Sequence, residues 1–231
     1  MKKIGIINFS SNCYLNVIIQ LFLSCKNTYD IIFHYLEYDN KRCVFNPKGL
    51  MNKLSSVKIN VNIQNDAHEI FTLILDIIPE FEKYFENKIK YKYTCKNCNK
   101  KRIIEDIFST FYVYGNSLEE SIKRTINTET FMLKCENCVK NTVTDKIGQI
   151  ENLGKVLIFY NIVKNDIKIT ENITFGNVVY NLTGLIKHYG NQQSGHYIFI
   201  DYKNKLMIDD TNIIKCENIS FDNIYMIIYT V

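Results

Sequence analysis

Asn8-Phe9-Ser10-Ser11-Asn12-Cys13-Tyr14-Leu15-Asn16, near the start of the chain, runs into an apolar stretch in which residues 15, 18, 19 and 22 recur at helical spacing. A thiol just ahead of a helix sits where unpaired amides and the positive end of the dipole favour the thiolate. Far along the chain stands Gly195-His196-Tyr197, followed by Asp209-Asp210. A thiol nucleophile needs a base, and the base needs a carboxylate to orient it. If Cys13, His196 and Asp209 meet, the fold must bring both ends of the chain around one thiol.

The 231 residues are enough to bury a core and suggest one or two domains. Hydrophobic residues at 46% and charged residues at 23% give the balance of a soluble globular protein. No uninterrupted apolar run approaches the ~20 residues that span a bilayer. Met1-Lys2-Lys3 carries charge, but Asn8, Ser10, Ser11 and Asn12 interrupt any signal-peptide core, so a cytoplasmic protein without a membrane partner is expected. The net charge of +4 includes no dense basic block, so no nucleic-acid partner is expected. In a reducing compartment, eight cysteines of which four form CxxC pairs favour a metal site plus one reactive thiol.

The first third is predicted to be mainly helical. Ala67, Ile70, Phe71, Ile74, Leu75 and Ile78 form a full core-facing stripe, with Asp66 as its cap, Glu69 at the third position and Pro79 as a stop. From Lys88 the pattern alternates into Cys95-Lys-Asn-Cys98, and Phe131-Met-Leu-Lys-Cys135-Glu-Asn-Cys138 repeats it. Between them, Ser117-Leu-Glu-Glu120 is a capping box opening a short helix. Strands are predicted over Val156 to Val163, Val178 to Tyr189, His196 to Tyr202, Lys205 to Ile208 and Ile224 to Tyr229.

Asn8 could offer its side-chain amide to a developing oxyanion. Against this stands the bland alternative that Cys13 is a buried structural thiol, the reading kept for Cys25 and Cys43. His196, at a strand start beside glycines, can reach a cleft, and Gly195 lets a substrate backbone approach closely. His188 fits a supporting role, while His34 and His68 are read as surface or packing residues. Asp209-Asp210 follows a strand that pairs with the His196 strand through a turn near Asn204, although two acids on a solvated turn is the plainer reading. Cys95, Cys98, Cys135 and Cys138 suit two knuckles that complete a closed tetrahedral site, hence one structural zinc per chain.

Taken together these stretches resemble the ubiquitin-specific protease family. Gly5 through Gln20 resembles its cysteine box and Gln64-Asn-Asp66-Ala67-His68-Glu69 its helix motif that meets the ubiquitin tail. Tyr180 through Gly195-His196-Tyr197 resembles its histidine box and Asp209-Asp210 the acidic pair that follows. The resemblance covers essentially the whole chain. It implies an α+β, papain-like cysteine peptidase fold in one catalytic domain over 1–231, with a helical thumb (1–88), mainly zinc-ribbon fingers (89–150) and a β-rich palm (151–231). It implies Cys13 as nucleophile, His196 as base and then acid, Asp209 as its orienting partner, Asp210 as an assistant and Asn8 as oxyanion donor. Asp66, Glu69, Gly195 and Tyr197 would bind the substrate, ubiquitin or a ubiquitin-like modifier on a protein conjugate, and the enzyme would act as a monomer.

The sequence departs from the family in places. Ser10, Ser11 and Asn12 stand where the family has glycine and small or hydroxyl residues ahead of its cysteine. Val17 replaces a small residue, Ile70 an aromatic or leucine, Lys205 a tryptophan, and Tyr160-Asn-Ile-Val163 an arginine-phenylalanine pair. These bear on rate and ubiquitin affinity rather than on reaction class. Two rival functions follow: an inactive ubiquitin-binding module of the same fold, and a zinc-ribbon nucleic-acid binder using Lys96, Lys100, Lys101 and Arg102.

Overall fold

The computed structural model describes residues 4–9, 11–162, 166–191 and 194–231. Helix α1 (Cys13–Ser24) is buried on every side from Cys13 to Leu23, as expected for a helix with apolar residues on most of its faces. Short α2 (Tyr29–Phe33) leads to a hairpin of β1 (Glu37–Asp39) and β2 (Val44–Asn46), then α3 (Lys48–Ser56). Helix α4 (Ala67–Ile77) turns the predicted stripe inward: Ala67, Ile70, Phe71, Ile74 and Leu75 are buried. Asp66 caps it, its Oδ1 accepting from the amides of His68 at 2.8 Å and Glu69 at 3.1 Å. Pro79 opens a single 3-10 turn that leads into α5 (Glu82–Phe85). Phe22 of α1 stacks on Phe81 at 4.2 Å and meets Phe85 edge-on at 5.6 Å. Truncating Phe22 to alanine would cost about 3–5 kcal/mol.

The strands then alternate between two sheets. β3 (Asn87–Cys95), β4 (Lys101–Phe108), β6 (Glu129–Cys135) and β7 (Lys140–Asn152) form an antiparallel sheet ordered β4-β3-β7-β6. Between β4 and β6 the chain leaves it as β5 (Thr110–Tyr112) and α6 (Leu118–Ile126). Ser117 caps α6 through its hydroxyl, as the capping box predicts. The large sheet runs β13-β12-β11-β10-β14-β8-β5, with β9 on β10. Its members are β8 (Val156–Tyr160), β9 (Asn172–Phe175), β10 (Val178–Gly190), β11 (Gly195–Asp201), β12 (Leu206–Asp209), β13 (Asn212–Lys215) and β14 (Ile224–Thr230). Strand β8 ends at Tyr160, short of the predicted Val163, which lies outside the described residues.

Period-two alternation on the large sheet sorts its side chains into two cores. Tyr197 and Phe199 of β11 face the α1–α4 side with Ile186, Met226 and Ile228, while Ile198 and Ile200 point the other way, toward Leu157, Phe159 and Tyr229. The predicted hairpin is present, pairing Phe199 with Ile208 and Asp201 with Leu206. Buried Asp201 holds its turn, accepting from the Asn204 amide at 3.0 Å and its side chain at 2.8 Å. This register carries Asp209 back beside the start of β11.

Candidate active site

Cys13 is the first residue of α1, and the turn ahead of it is tied by side-chain amides. Asn12 takes the Phe9 amide on its Oδ1 at 2.7 Å and donates to the Ile7 carbonyl at 3.2 Å and Asn16 Oδ1 at 3.1 Å. Its own backbone amide donates to Asn8 Oδ1 at 3.2 Å. The unusual turn is thus pinned by asparagines; Ser10 lies outside the described residues. Burial pushes the Cys13 thiol above its ordinary value, and the Asp210 charge adds to that. The Tyr197 amide against the sulfur, and those of Tyr14 and Cys13, pull the other way but do not win. At this helix start desolvation works against the terminal amides that favour the thiolate.

His196 is the predicted base. It stands on β11 immediately before Tyr197, whose backbone faces Cys13. Its Nε2 lies 2.6 Å from Asp209 Oδ1 on β12. A carboxylate only accepts, so Nε2 carries the proton of this bond, which leaves Nδ1 as the nitrogen turned away from Asp209. One oxygen of each of Asp209 and Asp210 and one imidazole nitrogen lie within 4.8 Å of one another. The two acids nonetheless differ. Asp210, at φ +51°, points both oxygens at amides of the N-terminal segment: Asn16 Nδ2 and Asn8 Nδ2 each donate at 2.7 Å. Its carbonyl accepts from the Ile6 amide at 2.9 Å.

On the other side of the cleft, Asp66 accepts the Tyr225 hydroxyl on the oxygen it does not use as a cap. Tyr225 and Tyr160 hydroxyls lie 3.3 Å apart. Asp66 therefore ties α4 to β14, while Glu69, three residues on, is exposed. The Tyr197 ring is buried, packed on His188 at 4.3 Å and Tyr225 at 5.2 Å. Gly195 is needed: a Cβ there would sit 2.3 Å from His188 Nε2 and 2.6 Å from the Tyr189 carbonyl. His68 is a packing residue, stacked on Tyr160 at 4.2 Å, and burial lowers its pKa.

Sequence reasoning missed the amide stripe of Asn12, Asn16 and Gln20. All three are buried, and Gln20 donates to the Ile4 carbonyl at 2.7 Å. The signal is present in the chain, since polar residues at i, i+4 and i+8 of an apolar helix share one face. The role of Tyr225 has no local signal, and Gln64 is marked only as the first residue of the helix motif, with nothing to say that it reaches Gly195.

The four cysteines come together at the tip of the four-stranded sheet. Each knuckle places a left-handed residue directly after its second cysteine: Asn99 at φ +57° and Val139 at φ +55°. Their sulfurs lie within 4.8 Å of one another, with Cys98 to Cys135 at 3.6 Å and Cys95 to Cys138 at 3.9 Å. A tetrahedral thiolate site with metal–sulfur bonds near 2.3 Å has edges of about 3.8 Å, so the donor set fits a metal ion. The Thr142 hydroxyl, 3.2 Å from Cys95, helps pull that thiol down to about 6, and Asn97 Nδ2 donates to Cys138 at 3.2 Å.

A family model described as ubiquitin carboxyl-terminal hydrolase matches residues 4–229. The chain is 23% identical over 272 residues to the probable ubiquitin carboxyl-terminal hydrolase 8 of Schizosaccharomyces pombe, covering 91% of this chain and 60% of that protein. The chain thus spans 60% of the length of this curated relative. Its fold is similar to a chain of the SAGA Ubp8/Sgf11/Sus1/Sgf73 DUB module bound to ubiquitin aldehyde, with a TM-score of 0.75 at 17% identity over 99% of this chain and 69% of that one. A chain of that module bound to monoubiquitin gives a TM-score of 0.77 at 18% identity, with the same coverage. The α+β arrangement expected from the resemblance, helical thumb, β-rich palm and cysteine-tipped fingers, is the fold observed.

Proposed function

The chain belongs to the ubiquitin carboxyl-terminal hydrolase family, and from that premise we propose that it is a thiol-dependent deubiquitinase acting after the C-terminal glycine of ubiquitin on protein conjugates. One observation carries this reading: His196, bonded to Asp209 at 2.6 Å, immediately precedes the Tyr197 amide that rests against the Cys13 sulfur. His196 Nδ1 takes the proton of the buried thiol as sulfur attacks the terminal glycine carbonyl, and Asp209 balances the imidazolium. Asn8, oriented by Asp210 and Asn12, donates to the oxyanion. His196 then protonates the departing lysine amine, and water, deprotonated by the same imidazole, hydrolyses the thioester.

The entry side suits a basic tail, since exposed Glu69 offers negative charge; Gly195, expected to leave room for the substrate backbone, is required instead by the close packing of His188 and the Tyr189 carbonyl. A cavity of about 350 Å³ lined by Thr72, Asp76, Glu82 and Glu86 extends that acidic edge toward β4. Asp66, held by its cap of α4 and by Tyr225, lies two residues after Gln64 at the same edge and is a second acid for the tail. Cys95, Cys98, Cys135 and Cys138 hold one structural zinc, which knits together a sheet tip with few buried apolar side chains of its own. The enzyme works as a cytoplasmic monomer, with no membrane or nucleic-acid partner; among the described residues no helix is long and apolar enough to cross a membrane. Hydrolysis of ubiquitin carrying a C-terminal fluorogenic amide tests the reading. Binding of ubiquitin without turnover would favour the inactive-module alternative.

A further inference from the structure

We propose that Gln64 is a positioning residue for His196, a role that rests on the hydrolase reading above. Its Nε2 donates to the Gly195 carbonyl at 2.8 Å, and its Oε1 accepts the Gly195 amide at 3.2 Å. A carboxamide that both donates to and accepts from one residue reproduces the pairing of a neighbouring strand. The start of β11 lacks such a neighbour on one side. Gly195 pairs with Gly190 on β10, but β12 meets β11 only over Phe199–Asp201. Gln64, reaching across from the thumb, fills the place of the missing strand.

The consequence falls on His196. On the β10 side Gly195 is closely packed, since even a Cβ there would strike His188 and the Tyr189 carbonyl. Three consecutive residues are then held from three directions: Gly195 by Gln64, the His196 ring by Asp209, and the Tyr197 amide by Cys13. Without Gln64 the histidine would hang from a glycine, the residue with most backbone freedom, paired with a second glycine, Gly190 at φ +109°. Gln64 is itself on a short leash, two residues from Asp66, which is fixed by α4 and Tyr225.

The test compares Gln64→Ala and Gln64→Glu with wild type in two assays. The first separates kcat from KM on fluorogenic ubiquitin. The second follows alkylation of Cys13 by iodoacetamide against pH, without ubiquitin, by mass spectrometry of the Cys13 peptide. A misplacement near 1 Å costs up to about a hundredfold. Gln64→Ala is therefore expected to lose about tenfold to a hundredfold in kcat with KM within about twofold, and its Cys13 alkylation profile moves to higher pH. The carboxylate that Gln64→Glu introduces accepts but cannot donate when ionised, so this variant matches the alanine one at neutral pH. Near about pH 5 its protonated fraction restores the donor, and its kcat relative to wild type at the same pH rises. A rise in KM with unchanged kcat and alkylation would make Gln64 a ubiquitin contact and overturn the proposal, as would faster alkylation or no change. If wild type hydrolyses no ubiquitin substrate the hydrolase reading fails, while alkylation still decides the Gln64–His196 link. Thermal midpoints near wild type confirm that both variants fold.

Discussion

Asn16 donates its side-chain amide to Asp210 at 2.7 Å across 194 residues of chain, fastening the first helix to the strand turn that carries the acid pair. The neighbouring Asp209 instead holds His196. Two adjacent aspartates thereby divide into one that ties down the N-terminal segment and one that holds the imidazole.

That division predicts separable effects. Asp210→Ala strips buried Asn16 of an acceptor and should lower stability by about 1–3 kcal/mol in denaturant titrations. Asp209→Asn, at a partly exposed position, should leave stability nearly intact and lower kcat by roughly 10²-fold or more. Equal losses of stability in the two variants would refute the division.

How much of this could be read in the sequence depends on how local each signal is. The α4 stripe from Ala67 to Ile78, its Asp66 cap and the two knuckles are written in residues a few positions apart, and they fold as read. Cys13, His196 and Asp209 stand out by residue type and order, and the β11–β12 register brings the latter two together. The burial that pushes the Cys13 thiol upward is not legible, because it is set by neighbours such as β11 that are distant in sequence. Nor is the second carboxylate oxygen of Asp66, whose partner Tyr225 lies 159 residues away.

Asn8 is held by Asp210 and Asn12 in one orientation. Removing a preorganised oxyanion donor typically costs about 10²–10³ in kcat. Asn8→Ala should therefore lose about 10²-fold in kcat on fluorogenic ubiquitin with little change in KM, and an effect confined to KM would count against this role.

Burial holds His68 below its ordinary pKa of 6.5. Below about pH 6.5 the unfolded chain binds more protons at this residue than the folded one, so stability falls as pH falls through that range; above it His68 contributes no slope. His68→Phe keeps the stack on Tyr160 and removes the proton uptake. Denaturant midpoints measured between about pH 7 and pH 5 should fall less steeply in this variant than in wild type, and identical slopes would contradict the assignment.

Metal analysis of protein purified without chelator should return about one zinc per chain. Cys98→Ser should lose the metal and destabilise the β3–β4 and β6–β7 tips, whereas Cys43→Ser, at an exposed hairpin position, should keep it. Wild type without zinc would rule the site out.

Labelling by ubiquitin that bears a C-terminal electrophile tests the central claim most directly, because it needs the nucleophile, its base and the tail channel together. Wild type should form a stable adduct of one ubiquitin per chain, mapped by mass spectrometry to Cys13, and Cys13→Ala should form none. An adduct that persists in Cys13→Ala, or a folded wild type that takes no probe, would contradict the account.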